Sequence, residues 1–247
     1  MKLNIITLFP DMFNALNYGI VGRALQRQLI SLKFFNPRDY ALDKYKTVDD
    51  RPYGGGPGMV LKPEPLTAAL EAANTENPDA HIIYFSPQGK RLTQPDIPPL
   101  IAKTPLILIA GRYEGIDERV LQRVHEEWSI GDYVLSGGEL PAMVLIDAMT
   151  RLIPGALNDE LSAQEDSFMQ GLLDYPHYTR PENFAGHLVP EVLKSGDHQA
   201  IQRWRLKQAL GRTWLRRPDL LVDYPMTKEL SLLLAEFIAE NKRSNKP

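Results

Sequence analysis

Apolar positions along the chain follow two periods, and those periods lay out its elements. Residues 3–9, 32–35, 81–85 and 106–110 are short apolar runs of strand length, the first stopped by Pro10-Asp11 and the second by Asn36-Pro37. The run 106–110 (LILIA) has no polar position, as expected of a strand covered on both faces. Between the runs, apolar residues recur at helical spacing. Phe13, Leu16, Ile20, Ala24 and Leu25 follow Asp11, which is placed to cap their helix. Further helices are predicted over 65–73, over the proline-interrupted 95–102, and over 116–127 through Ile116, Val120, Leu121 and Val124. Residues 129–135 read as another strand, and 140–152 as a long apolar helix that must be buried or lie in a subunit interface. Alternating strands and helices predict an α/β domain with a parallel sheet over residues 1–155.

The pattern then changes. Residues 156–170 (ALNDELSAQEDSFMQ) are polar and acidic, carry Asp159, Glu160, Glu165 and Asp166, and read as a mobile interdomain linker. Residues 172–190 are loop-like. Asp197 is placed to cap a helix to about residue 210, and Thr227 a last helix through Leu230, Leu233, Leu234 and Phe237. Residues 171–247 are therefore expected to form a small all-helical domain.

Three glycine-bearing turns fall at expected strand ends: Ser86-Pro87-Gln88-Gly89, Gly111-Arg112-Tyr113-Glu114-Gly115 and Ser136-Gly137-Gly138. Open α/β sheets bind ligands outside the carboxyl ends of their strands, where backbone groups are unpaired. Such turns suit a flat, mostly neutral ligand gripped by N–H and C=O groups. A fourth segment, 54–58, has four glycines in five residues and is either an idle surface loop or a functional one. A dinucleotide-binding GxGxxG from Gly54 fails at Met59, and no P-loop, GxSxG, SxxK or HExxH occurs. Dehydrogenase, P-loop NTPase and covalent hydrolase readings lose their support.

Composition narrows this further. At 43% hydrophobic and 24% charged, the 247 residues are ordinary for a globular protein. The absence of cysteine excludes disulfides and thiolate chemistry. The first apolar run is too short for a signal segment and no stretch has the length of a membrane span, so a cytoplasmic location without a membrane partner is expected. The net charge of −3 does not announce a nucleic-acid binder. Residues 198–218, however, contain no acid and carry Arg203, Arg205, Lys207, Arg212, Arg216 and Arg217 beside Trp204 and Trp214. This is either a solvated helix face or a phosphate-binding one.

Six segments occur in order: Arg51-Pro-Tyr-Gly-Gly-Gly-Pro-Gly-Met59, Ser86-Pro-Gln-Gly89, Ala110-Gly-Arg-Tyr-Glu-Gly-Ile-Asp117, Ser129-Ile-Gly-Asp-Tyr-Val-Leu-Ser-Gly-Gly-Glu-Leu-Pro141, Glu165-Asp-Ser-Phe168 and Pro176-His-Tyr-Thr-Arg-Pro181. Together they closely resemble the bacterial tRNA (guanine-37-N1)-methyltransferases, the TrmD family of the SPOUT superfamily. The resemblance runs over essentially the whole chain. It implies a SPOUT-type parallel-sheet domain with a C-terminal trefoil knot, and S-adenosylmethionine as methyl donor. It implies a donor site formed by Tyr84, Phe85, Ser86, Pro87, Gln88 and Gly89; by Gly111, Tyr113, Glu114 and Gly115; and by Ile130, Gly131, Asp132, Tyr133, Val134, Leu135, Gly137, Gly138 and Pro141. It also implies a homodimer with shared active sites, the apolar helix at the interface and the loop from Gly54 closing over the ligand.

The same resemblance implies the catalytic residues. Asp166 would be the base that takes the proton of guanine N1, and Arg151 would offset charge on O6. Without the resemblance Asp166 is one linker acid among several, and Arg151 only complements a helix dipole. Glu114, with Asp166, would handle substrate and a magnesium ion. The tRNA substrate carries guanosine at position 37, and His177, Arg180, Arg203, Arg205, Lys207 and Arg216 are the expected RNA contacts. The alternatives are another SPOUT methyltransferase acting on ribosomal RNA or ribose, and a noncatalytic RNA-binding protein.

Overall fold

The computed structural model describes residues 1–244, with side chains at all but 160, 161, 243 and 244. The side chain of Glu160, counted above among the linker acids, and residues 245–247 of the expected helical domain lie outside the described residues. Two compact units divide the chain, Met1–Glu160 and Leu161–Pro247.

The first unit is built on strands β1 (Lys2–Ile6), β2 (Ser31–Phe35), β5 (His81–Arg91), β6 (Leu106–Ile109) and β7 (Glu126–Ser129); β3 (Asp49–Asp50) and β4 (Val60–Leu61) form a separate short antiparallel pair. The five long-range strands are all parallel, in the order β2-β1-β6-β5-β7. Leu106, Ile107, Leu108 and Ile109 are fully buried, because helices cover both faces of β6. Strand alternation sends Leu3, Ile5, Ile83, Phe85, Leu106 and Leu108 to one core, packed with α1 (Gly19–Gln26), α3 (Ile97–Ala102) and α5 (Glu139–Thr150). Ile6, Ile82, Tyr84, Ile107 and Ile109 point to the other, under α2 (Pro63–Glu76) and α4 (Glu118–Leu121). Each such side chain contributes about 1.5–3 kcal/mol of hydrophobic stabilisation. Buried Asn4, on the α2 face, donates from Nδ2 to the carbonyl of Ala73 at 2.7 Å, which satisfies the one buried polar side chain of β1.

Several expectations change at element boundaries. The helix expected over 116–127 is only α4. After it the chain turns so that the amide of His125 donates to Ile82 O (2.9 Å) and Glu126 enters the sheet. The strand expected over 129–135 is therefore β7, displaced toward the N-terminus. Residues 130–135 find no strand partner, turn at Gly131 and leave Tyr133 and Val134 exposed. Asp11 makes no capping bond. A 3-10 helix, Pro10–Asn17, starts there after Phe9, and α1 begins separately at Gly19. Ser86–Gly89 is not a turn ending a strand but an irregularity within β5, whose register to β7 shifts between Phe85 and Lys90.

The second unit begins around α6 (Glu160–Gln164) and has a short hairpin, β8 (Asn183–Phe184) with β9 (His187–Leu188), so it is not purely helical. Its core joins Leu172, Ala209, Leu210 and Leu233 from the loop, α7 (His198–Arg216) and α8 (Lys228–Ser244). Asp197 caps α7 through its Oδ1, which accepts from Gln199 N and Ala200 N at 3.0 Å each. That helix runs a turn and a half beyond its expected end, because Leu210, Gly211 and Thr213 are still needed in the core. No helix among the described residues is long and apolar enough to cross a membrane.

Candidate active site

The three glycine-bearing segments, one within β5, one after β6 and one before α5, line one cavity of about 370 Å³, a size usual for small-molecule sites. From β5 come Tyr84 to Gln88, from the β6 turn Gly111 to Ile116, from β7 Trp128 and Ser129, from the loop after it residues 130, 131, 133–135, 137 and 138, and from α5 Pro141. Gly89 and Asp132 are the two expected donor-site residues outside this lining. Gly89 faces backward: a Cβ there would stand 2.5 Å from the Trp128 amide. Asp132 points to solvent, 3.9 Å from Arg91. Arg112, Ile116, Glu118, Leu121, Glu127, Trp128 and Ser129 also line the cavity and were not expected. Of these only Arg112 had a sequence signal, its place between the two glycines of the turn.

Backbone brings the walls together. The amide of Gly138 donates to Gly111 O at 2.8 Å, and a Cβ on Gly138 would lie 2.7 Å from the Cα of Ala110. No larger residue allows that approach. Tyr113, at the turn's centre, holds φ +63, a left-handed conformation that an aromatic residue adopts at some cost. Tyr84 closes the floor beneath Gly111. Burial first, and the Glu127 carboxylate second, push its hydroxyl up to about 12, so it stays protonated and available as a donor.

A buried ionic network locks these walls. Glu139, the first residue of α5, is fully buried. Its Oε1 accepts from the Thr7 hydroxyl at 2.9 Å, and its Oε2 lies 2.9 Å from Arg112 Nε. The Arg112–Glu139 contact is short but off the N–H line, and is an ion pair rather than an aligned hydrogen bond. The same guanidinium donates to Ser136 O at 3.1 Å and lies over the Phe9 ring at 4.6 Å. One buried carboxylate thus joins the end of β1, the β6 turn and the start of α5.

The expected catalytic residues are placed as follows. Glu114 is exposed on the β6 turn and lines the cavity. A Cβ on Gly58 (φ +81) would meet its Oε1 at 2.3 Å, and its amide donates to Met59 O at 2.9 Å, so the end of the glycine-rich loop is fastened to the cavity rim. Arg151 is the C-cap of α5, half-buried, and does not line the cavity. Asp166 belongs to the second unit and lines a separate cavity of about 170 Å³ there, with Glu165, Asp174, Tyr175, Gln202 and Arg205 among its neighbours. Among the described residues no group of three or more His, Asp or Glu side chains is placed to hold a metal.

The expected RNA contacts are not a uniformly free basic face. Arg203 pairs with Glu236 (2.6 Å) and Lys207 with Glu240 (2.7 Å), both across to α8. The Glu236 carboxylate beside Arg203 raises that arginine's pKa further, and the Arg203 contact lowers that of Glu236. Arg205 lies over the ring of Tyr175 at 4.7 Å. His177 Nε2 contacts Asp174 Oδ2 at 2.7 Å, whereas Arg180 and Arg216 are exposed.

Comparison with known proteins identifies the family. The family model described as tRNA (Guanine-1)-methyltransferase TrmD matches residues 1–223. A tRNA (guanine-N(1)-)-methyltransferase of Coxiella burnetii (strain Dugway 5J108-111) is 61% identical over 245 residues, 98% of this chain and 100% of the relative. Those of Tolumonas auensis and Aeromonas hydrophila subsp. hydrophila are each 57% identical, over 97% and 100% of this chain and 98% and 100% of their own length. With a buried parallel sheet, a cavity lined by three glycine-bearing segments and a match over nearly its full length, the chain belongs to the tRNA (guanine-1)-methyltransferase TrmD family.

Proposed function

We propose that the protein transfers a methyl group from S-adenosylmethionine to N1 of guanine-37 in tRNA, beside the anticodon. Family membership supports the reaction and the tRNA substrate. The observation that carries the donor site is the single cavity into which three glycine-bearing segments converge. Its close backbone approaches and its protonated tyrosine fit a folded ligand held by amides and carbonyls. When bound, the donor supplies an electrophilic methyl on a sulfonium.

The chain's own groups do the rest. Guanine N1 bears a proton at neutral pH and is a poor nucleophile. Asp166 accepts that proton as the new N–C bond forms. Arg151 offsets the negative charge that gathers on O6 as the proton leaves, an interaction stronger in the transition state than before it. Glu114 positions the substrate at the cavity rim. Magnesium, which keeps most of its waters, needs only one or two carboxylates beside substrate oxygens, and Glu114 and Asp166 are the ones proposed.

The finer features rest on separate supports. Leu140 and Val144 are large apolar residues exposed on α5, whose opposite face is buried, which supports a homodimer with shared sites. The resemblance to the SPOUT superfamily supports a chain passed through itself as a trefoil knot. We read residues 1–155 as the methyltransferase domain, 156–170 as the connection and 171–247 as the tRNA-binding domain of a cytoplasmic enzyme. Arg180 and Arg216, with His177, would meet RNA first, since Arg203 and Lys207 must exchange Glu236 and Glu240 for phosphate. Incubating a tRNA transcript bearing G37 with enzyme and donor, then locating the methyl by nucleoside mass spectrometry, tests the reading. Expected is 1-methylguanosine at position 37; a methyl on ribose or on another base would overturn it.

A further inference from the structure

Asp166 lies between two neighbours that are both tied down within the second unit. On its C-terminal side, the Ser167 hydroxyl accepts from Asp174 N at 2.9 Å, and Phe168 N donates to Leu172 O at 2.7 Å. That stretch is itself hung on α7, because Leu173 N donates to the buried Thr213 hydroxyl at 2.9 Å. On its N-terminal side, the Glu165 carboxylate accepts from the Tyr175 hydroxyl at 3.1 Å and lies 3.9 Å from Arg205 Nη1. Burial, and then the bond to Glu165, raise the pKa of the Tyr175 hydroxyl, so it remains a donor.

Arg205 has the wrong posture for a simple phosphate grip. Its guanidinium is stacked on Tyr175 rather than held out, and its Nε is buried without a hydrogen-bond partner. The ion pair alone is loose and adds little; it is the ring contact and the Tyr175 hydroxyl bond, acting with it, that hold the position. We infer that Arg205 and Tyr175 are positioning residues that clamp Glu165 and thereby fix the backbone from which Asp166 reaches the guanine. The inference rests on the reading of Asp166 as the base. The clamp makes the acidic segment a fixed part of the tRNA-binding unit. It presents Asp166 together with the RNA, and a small misplacement of a reacting group is costly in rate.

The test uses the full-length enzyme and a G37 tRNA transcript. Tyr175→Phe removes one hydroxyl and keeps the ring under Arg205; Arg205→Ala removes the clamp's other half; Arg205→Lys keeps the charge but not the flat stack. Single-turnover methyl transfer is measured with tRNA and donor saturating, and tRNA affinity across a salt series. Expected for Tyr175→Phe and Arg205→Ala is a rate about ten- to a hundredfold lower. The salt slope should be unchanged, Arg205→Lys should not restore the rate, and the double variant should be no slower than the worse single one. A wild-type rate at saturation in either single variant overturns the inference. So does a salt slope shallower by about one in Arg205→Ala, the mark of a phosphate contact. Asp166→Ala in parallel separates the two levels. If it turns over normally, the base assignment has failed. If it is inactive while the clamp variants are normal, only the clamp has failed.

Discussion

In the cavity beside β5, β6 and β7, backbone drawn together at glycines sets the frame that carries the lining side chains, whereas the one beside α7 is shaped by side chains alone. In the first, Gly111 and Gly138 bring main chains within 2.8 Å, and a buried carboxylate, Glu139, locks them from behind. In the second, a tyrosine, an arginine and two acids are arranged around Asp166 on partly exposed surface. Backbone frames are preorganised by the fold and tolerate no added atoms; side-chain walls tolerate substitution but can be mispositioned one residue at a time. The first suits a cosubstrate that is the same in every turnover, and the second a large substrate that must be aligned.

That contrast can be broken in graded ways. Glu139→Ala should do the most damage, since it leaves Arg112 and Thr7 without their shared partner. Thermal or denaturant unfolding should show a loss of about 3–5 kcal/mol, as expected when one member of a buried pair is removed. An effect below about 1 kcal/mol, the range of exposed pairs, would mean that the network is not what holds the turns. Gly138→Ala should come next. The new Cβ meets the backbone at Ala110, and overpacking of about 1–3 kcal/mol should appear as weaker donor binding in calorimetry with tRNA affinity unaltered. Wild-type donor affinity would show that the turns are not the donor's walls. Smallest is Arg216→Ala, on the exposed end of α7. It should weaken tRNA binding modestly and make the salt slope shallower by about one; an unchanged slope would make this a solvated face.

The strands of the buried sheet were legible because a strand covered on both faces has nothing but apolar residues, as in Leu106–Ile109. β7 was misplaced because it is an edge strand that opens with Glu126 and Glu127, while the apolar Val134 and Leu135 that drew the eye lie in a loop. The convergence of the glycine segments on one cavity was legible, although Ser86–Gly89 is a bulge within β5 and not the strand end its sequence predicts. Glu139 and Arg112 were not. Their pairing spans the gap between two turns, and nothing local distinguishes a carboxylate at a helix start from an ordinary first-turn acid. Asp166 is singled out only through resemblance, because composition makes it one acid among several. Its setting depends on nearby Tyr175 and on Thr213 and Arg205 of α7, which are distant in sequence.

The most direct test measures donor binding and methyl transfer in one preparation of Asp166→Ala. If the cavity beside β5, β6 and β7 alone holds S-adenosylmethionine and Asp166 alone takes the proton, calorimetry should return the wild-type affinity while single-turnover transfer to G37 falls by about 10²–10⁴-fold. Transfer at the wild-type rate, or loss of donor binding along with activity, would contradict that division of labour.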